Sequence, residues 1–193
     1  MSTRALRLIT MAAAGLMTIA PVSARELTSP APTATQQTVQ IHAGRGGSPH
    51  VRTTWAVDGA TISIEYGRPY LKGRPEATLM PAGQPWRVGA DEATTLVSDK
   101  PLKFGSLTVP AGTHTLYTVP GASGWQLIVS RKTGQWGIPY PGEADDLGRV
   151  PMTVGKTSGP VEQLTLSIED TPAGGTLHVE WGTTRASVAF TVQ

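Results

Sequence analysis

The chain has 193 residues, a formal net charge of +2 from 16 Lys and Arg against 14 Asp and Glu, and no Cys. Arg4 and Arg7 carry that excess, so residues 25–193 hold 14 basic against 14 acidic residues, a neutrality that excludes bulk electrostatic binding to nucleic acid or an anionic membrane. With no disulfide to staple the fold, a hydrophobic core must hold it, and the chain is long enough to bury one.

Residues 1–24 read as a secretory signal peptide. Arg4 and Arg7 form a short basic region, Leu8–Ala20 is an apolar run, and Val22 and Ala24 complete a cleavage pattern ahead of Arg25. The run is too short to span a bilayer, and no Cys at the cleavage position offers a lipid anchor. The expected localisation is therefore export, periplasmic or secreted, from a bacterial cell, with no membrane anchor. Residues 25–47, opening "RELTSPAPTATQQT", are rich in Pro, Thr, Ala and Gln and read as a disordered tether. "HAGRGGSPH", His42 to His50, reads as loop.

From Ser48 to Gln193 a single β domain is expected. "VRTTWAV" and "TISIEYG" alternate polar and apolar residues around Asp58-Gly59, a pair suited to the two positive φ angles of a type I′ hairpin. "ATTLVS", "LKF", "LTVP", "THTLYTVP" and "WQLIVSRK" follow, then "RVPMTV", "EQLTLSIED", "GTLHVEWG" and "RASVAFTV". In this reading Trp125 and Trp181 alternate with apolar neighbours and belong to the core. The 22 Gly and 16 Pro fall largely between these runs, and no window sustains a helical spacing, which specifies an antiparallel β-sandwich, jelly-roll-like in character. Short helical turns fit "PEATLMPAGQ" and "PGEADDLG".

One connection is long. "GRPYLKGRPEATLMPAGQPWRVGADE" separates two strands, yet Leu71, Leu79, Met80, Trp86 and Val88 make it too apolar for disorder. It carries Arg68, Lys72, Arg74 and Arg87, with Glu76 the one acid between Gly67 and Ala90. An ordered basic loop of this kind can hold anionic oxygens. The expected site is a small-molecule site at this loop. Arg68, Lys72, Arg74 and Arg87 take the anion, and Glu92 orients Arg87 or accepts hydroxyl groups. Tyr117 or Trp136 supplies a face for stacking. The structural reading of the same charges pairs Arg87 with Asp91 or Glu92 to close the turn. Adjacent Asp91 and Glu92 point to opposite sides of an extended chain, so they are not a ready-made acid–base pair.

The segments "YGRPYLKGR", "PWRVGADEATT", "VPAGTHTLYTVP", "WQLIVSRKTGQWG" and "HVEWGTTRASVAF" occur in order. Together they resemble the domain-of-unknown-function family 2911, small exported bacterial proteins, over about Ser48 to Val192. The resemblance implies an all-β exported domain and brings no established activity.

Familiar catalytic patterns are absent. There is no G-x-S-x-G and no thiol nucleophile. The four His, at 42, 50, 114 and 178, show no metal-ligand spacing, and "GSLTVPAGTH" nears the second cupin motif without the first. No metal and no cofactor is therefore expected. The rival reading is a hydrolase or isomerase with Glu92 and His114 as acid and base, which requires the two side chains to converge. A third is a structural or interaction protein of the cell envelope, which requires an exposed apolar patch or an open edge strand. The sequence sets no oligomeric state.

Overall fold

Period-two alternation becomes strand throughout the computed structural model, which describes residues 36–193. The signal reading and the first part of the tether lie outside the described residues. The strands are β1 (Gln36–His42), β2 (His50–Val57), β3 (Ala60–Gly67), β4 (Thr95–Ser98), β5 (Leu102–Phe104), β6 (Leu107–Val109), β7 (Gly112–Val119), β8 (Trp125–Ser130), β9 (Asp146–Thr171) and β10 (Gly174–Val192). They form one antiparallel ten-stranded sheet in the order β1-β2-β3-β4-β7-β8-β9-β10-β5-β6. The sheet folds over itself into an all-β sandwich.

The hairpin β2–β3 turns at Asp58-Gly59, whose φ angles of 47° and 73° are the positive values a type I′ turn needs. Cross-strand pairing then sorts the side chains. Trp55 with Ile62 and Ile64 with Leu96 lie on the inner face, as does His114, paired with Leu96. Arg52 with Glu65, Glu65 with Thr95, and Thr95 with Thr115 lie on the outer face. Each fully buried inner side chain such as Ile62 or Leu116 contributes about 2 kcal/mol.

Closure comes from β9 and β10, which are 26 and 19 residues long. The sequence segments "RVPMTV" and "EQLTLSIED" read as separate strands because Gly155, Gly159 and Pro160 intervene, yet one strand runs through them, with residues 157–160 bulged out of the ladder between the Thr184–Lys156 and Gly182–Val161 pairs. Register shifts flank Gly182, whose φ is +63°. His178 there comes within 2.8 Å of Ser187, nine residues along the same strand. Nine residues of straight strand would span about 30 Å, so the ribbon folds back sharply. One arm extends the sheet from β8. The other covers the inner face, where the Leu166 N–H donates to the Tyr66 hydroxyl at 2.9 Å. Trp181 stacks on Trp86 (5.9 Å, 10°), and Trp125 meets Trp86 edge-on (6.1 Å, 89°).

β1 departs from the sequence reading. Residues 36–42 fall in the stretch assigned to a disordered tether, but they pair with β2 at the sheet edge. All seven are exposed, so no alternating core face marks them in the sequence. The expected helical turns are α1 (Glu76–Leu79) and a 3-10 turn at Glu143–Asp145. The long connection is ordered, as its apolar content requires. The Glu76 carboxylate accepts from the Thr183 N–H (2.7 Å) and the Thr184 hydroxyl (2.6 Å), clasping the ribbon bend at Gly182. Partial burial opposes its ionisation, but these hydrogen bonds outweigh that and hold its pKa below the usual carboxylate value.

Candidate functional site

The stretch Arg87–Glu92 is strained and heavily braced. Val88 (φ 55°) and Asp91 (φ 61°) both lie in the left-handed region, which a β-branched residue rarely enters. Such conformations cost about 1–3 kcal/mol each and persist only where surroundings enforce them. Here the Thr94 hydroxyl donates to the Val88 carbonyl (3.0 Å) and the Ala90 N–H to the Gly67 carbonyl (3.2 Å). Arg87 donates through Nε to the Gly89 carbonyl and through Nη1 to the Asp91 carbonyl, both at 3.1 Å. Its aliphatic stem lies flush on Gly137, where an added Cβ would sit 2.3 Å from Arg87 Cδ. Arg87 therefore closes the turn through main-chain carbonyls and not through a carboxylate. Burial lowers its pKa, with Asp91 opposing.

The two acids of this stretch serve different neighbourhoods. The Asp91 carboxylate is buried and accepts the Arg45 N–H at 2.7 Å. It also lines an open cleft of about 790 Å³ between the β1–β2 loop and the long connection. Arg45, Lys72, Arg74 and Arg87 line the same cleft, with Asp91 its one carboxylate. None of the four cations forms an ion pair among the described residues. Arg74 donates to the carbonyls of Leu71 (2.9 Å) and Tyr70 (2.6 Å), and Arg45 stands over the Trp136 ring at 5.2 Å.

Several expected residues sit elsewhere. Arg68 does not line the cleft: it donates to the Leu164 carbonyl (3.0 Å) and the Thr165 hydroxyl (2.9 Å), pinning the long connection to β9. Tyr117 is fully buried beneath Tyr140, with Gln135 Nε2 at 3.4 Å from its hydroxyl, and offers no free face. Trp136 is 40 % exposed and does present one, already under Arg45. His114 faces the inside of the sandwich beside Leu96, where burial alone lowers its pKa. Glu92 lines a pocket with the outer-face residues Glu65 and Thr95. The two do not converge, and no hydrogen bond or ion pair joins them among the described residues.

Glu92 instead meets two imidazoles. Its Oε2 lies 3.2 Å from His50 Nδ1 and 3.7 Å from His42 Nε2. The rings stack at 4.6 Å with 25° between planes, because β1–β2 pairing sets His42 opposite His50. His50 is 1 % exposed; burial lowers its pKa, with Glu92 opposing. His50 Nδ1 and Glu92 Oε2 are both buried atoms without a hydrogen-bond partner among the described residues. The adjoining cavity, about 270 Å³, is walled by Gln135 and Trp136. Sequence spacing missed this group because register, not separation along the chain, brings it together. A Gly-rich loop with His at both ends was the available signal.

A third grouping lies at the ribbon bend. Ser187 Oγ is 2.8 Å from His178 Nδ1, and His178 Nε2 is 3.1 Å from Glu169. This order of hydroxyl, imidazole and carboxylate is that of a nucleophile relay. However, Arg185 Nε donates to the same Nδ1 at 3.3 Å. Burial first and Arg185 second lower the His178 pKa, which weakens it as a base.

A family model described as "Protein of unknown function (DUF2911)" matches residues 48–190. No curated protein and no solved structure matches the chain.

Proposed function

The chain belongs to this family of unknown function, and from that premise we propose that it is an exported module that binds a small anionic or polyhydroxylated molecule in the basic cleft. The observation that carries the reading is four cations against one carboxylate in a concave, braced setting, while residues 25–193 as a whole hold equal numbers of basic and acidic residues. Each guanidinium has five N–H donors, and the carbonyl bonds of Arg74 and Arg87 use two apiece, which leaves donors for ligand oxygens. Lys72, exposed on the same cleft, adds an ammonium. Tyr70 and Trp86 supply apolar wall beside them.

The test is a thermal-shift screen of residues 25–193 with inorganic phosphate, dicarboxylates, uronic acids and neutral sugars. A binder raises the melting temperature by mass action. The expected result is a hit among the anions that Lys72→Ala and Arg74→Ala, both exposed positions, weaken about tenfold or more together. No hit, or a hit indifferent to both substitutions, overturns the reading. Export is tested separately by expressing the full chain in a bacterium. Retention of residues 1–24 on the cytoplasmic protein would remove that part.

The acid–base alternative has lost its geometric basis, since Glu92 and His114 face apart. An interaction role in the cell envelope keeps one supporting observation. Among the described residues β1 ends the sheet, and its Val39 and Ile41 are exposed, a disposition suited to strand addition by a partner.

A further inference from the structure

We propose that His42, His50 and Glu92 form a binding site for a divalent transition-metal ion of the Zn2+ type, with one coordination position open to the adjoining cavity. The three side chains each offer one ligand atom, and those atoms all lie within 4.8 Å of one another. Two of the separations, 3.2 Å and 3.7 Å, bracket the distance between neighbouring ligands around a tetrahedral ion. With metal–ligand bonds of about 2.0–2.1 Å that distance is about 3.3 Å. The third separation, between the two imidazoles, is no more than 4.8 Å, so side-chain adjustment closes the set.

The second observation is independent of the spacing. A buried polar atom without a partner is costly, and native structures rarely keep one. Here two such atoms, His50 Nδ1 and Glu92 Oε2, stand beside each other and lack hydrogen-bond geometry. A cation between them satisfies both at once. Two neutral imidazoles and a carboxylate are a donor set for zinc, and three protein ligands leave a place for water or a ligand oxygen. The neighbouring Glu65 is already held by Arg52, at 2.6 Å and 3.0 Å, so it is not counted among the ligands.

One adjustment is required. His42 Nδ1 now accepts the Gly44 N–H at 3.1 Å, which places the ring proton on Nε2. Ligation through Nε2 moves that proton to Nδ1 and releases the Gly44 N–H. The bond is exposed, so water replaces it. Coordination would also tie the edge strand to the Arg87–Glu92 stretch and fix the loop that carries Arg45, a wall of the basic cleft.

The experiment is calorimetric titration of the untagged, chelator-stripped protein with Zn2+ and Co2+. The expected result is one ion per chain, an upward thermal shift, and the visible absorption of a four-coordinate cobalt site. Glu92→Gln and His42→Ala, both at partly exposed side chains, should weaken binding by more than about 100-fold, since outer-shell changes alone cost 10–100-fold. His50→Ala should do the same, and the other two variants keep the test decisive if it fails to fold. Lys72→Ala should leave metal binding intact, which separates this site from the basic cleft. No stoichiometric binding, or binding that survives Glu92→Gln and His42→Ala, overturns the proposal.

Discussion

Two buried imidazoles sit beside carboxylates in this molecule, and they are treated in opposite ways. At the ribbon bend, both His178 nitrogens are partnered: Nδ1 by Ser187 and Arg185, Nε2 by Glu169. At the β1–β2 loop, His50 Nδ1 and Glu92 Oε2 are adjacent and unsatisfied. A satisfied cluster is explained by the fold it holds together. An unsatisfied one costs stability, and here the two partnerless atoms face each other at 3.2 Å. The difference separates a structural tie from a position kept for something outside the chain. His114 is a third case, a buried imidazole whose depressed pKa has no charged neighbour behind it.

The comparison breaks most visibly through stability. His178→Ala leaves Ser187 and Glu169 without their shared partner and opens a cavity. We expect a loss of about 2–3 kcal/mol in urea unfolding of the metal-free protein. Glu92→Gln removes a poorly satisfied charge and should fall within about 0.5 kcal/mol of the parent under the same conditions. Equal losses from the two substitutions would erase the distinction.

Acid sharpens it next. Both His114 and His178 have pKa values lowered by burial, so the folded state binds protons less readily than the unfolded chain. Their contribution is present above the unfolded histidine pKa of about 6.5 and is lost as pH falls toward the depressed folded values. Stability should therefore decline as the pH falls below about 6.5. His114→Leu, at a site facing Leu96, removes one titrating group and should flatten that decline. An unchanged slope in melting temperature against pH would show that His114 titrates normally.

The strands and their hairpin were legible because alternation and turn chemistry are local. Asp58-Gly59 announces its own geometry, and Ile62 and Ile64 their own face. β1 was not, since a fully exposed edge strand takes its order from hydrogen bonds to β2. The ribbon looked like four strands because Gly155, Gly159, Pro160 and Gly182 read as breaks, whereas they fall at a bend and bulge within two long strands whose pairing resumes on either side. At the site, the cation density of the long connection was visible, and Lys72, Arg74 and Arg87 do share a cleft. Arg68 and Tyr117 were misplaced because nothing local says which Arg will pin a neighbouring strand or which Tyr a later loop will bury. The left-handed Val88, which aims carbonyls at Arg87, contradicts the preference of its own side chain. The His42–His50 meeting depends wholly on register.

The smallest effect is expected from Asp91→Asn, at the neighbour of Glu92 with the other role. Its carboxylate accepts one main-chain N–H, from Arg45, and its backbone occupies the left-handed region. An amide oxygen accepts the same bond, and Asn is among the residues that tolerate that conformation. Asp91→Asn should therefore change stability by no more than about 0.5 kcal/mol and leave Zn2+ binding untouched. Asp91→Ala loses both the acceptor and the tolerance for positive φ, so it should cost about 1–2 kcal/mol in the same unfolding measurement. If Asn were as harmful as Ala, the charge at 91 would matter in itself. Asp91 would then join the electrostatics of the basic cleft and could no longer be described as a cap on the loop that carries Arg45.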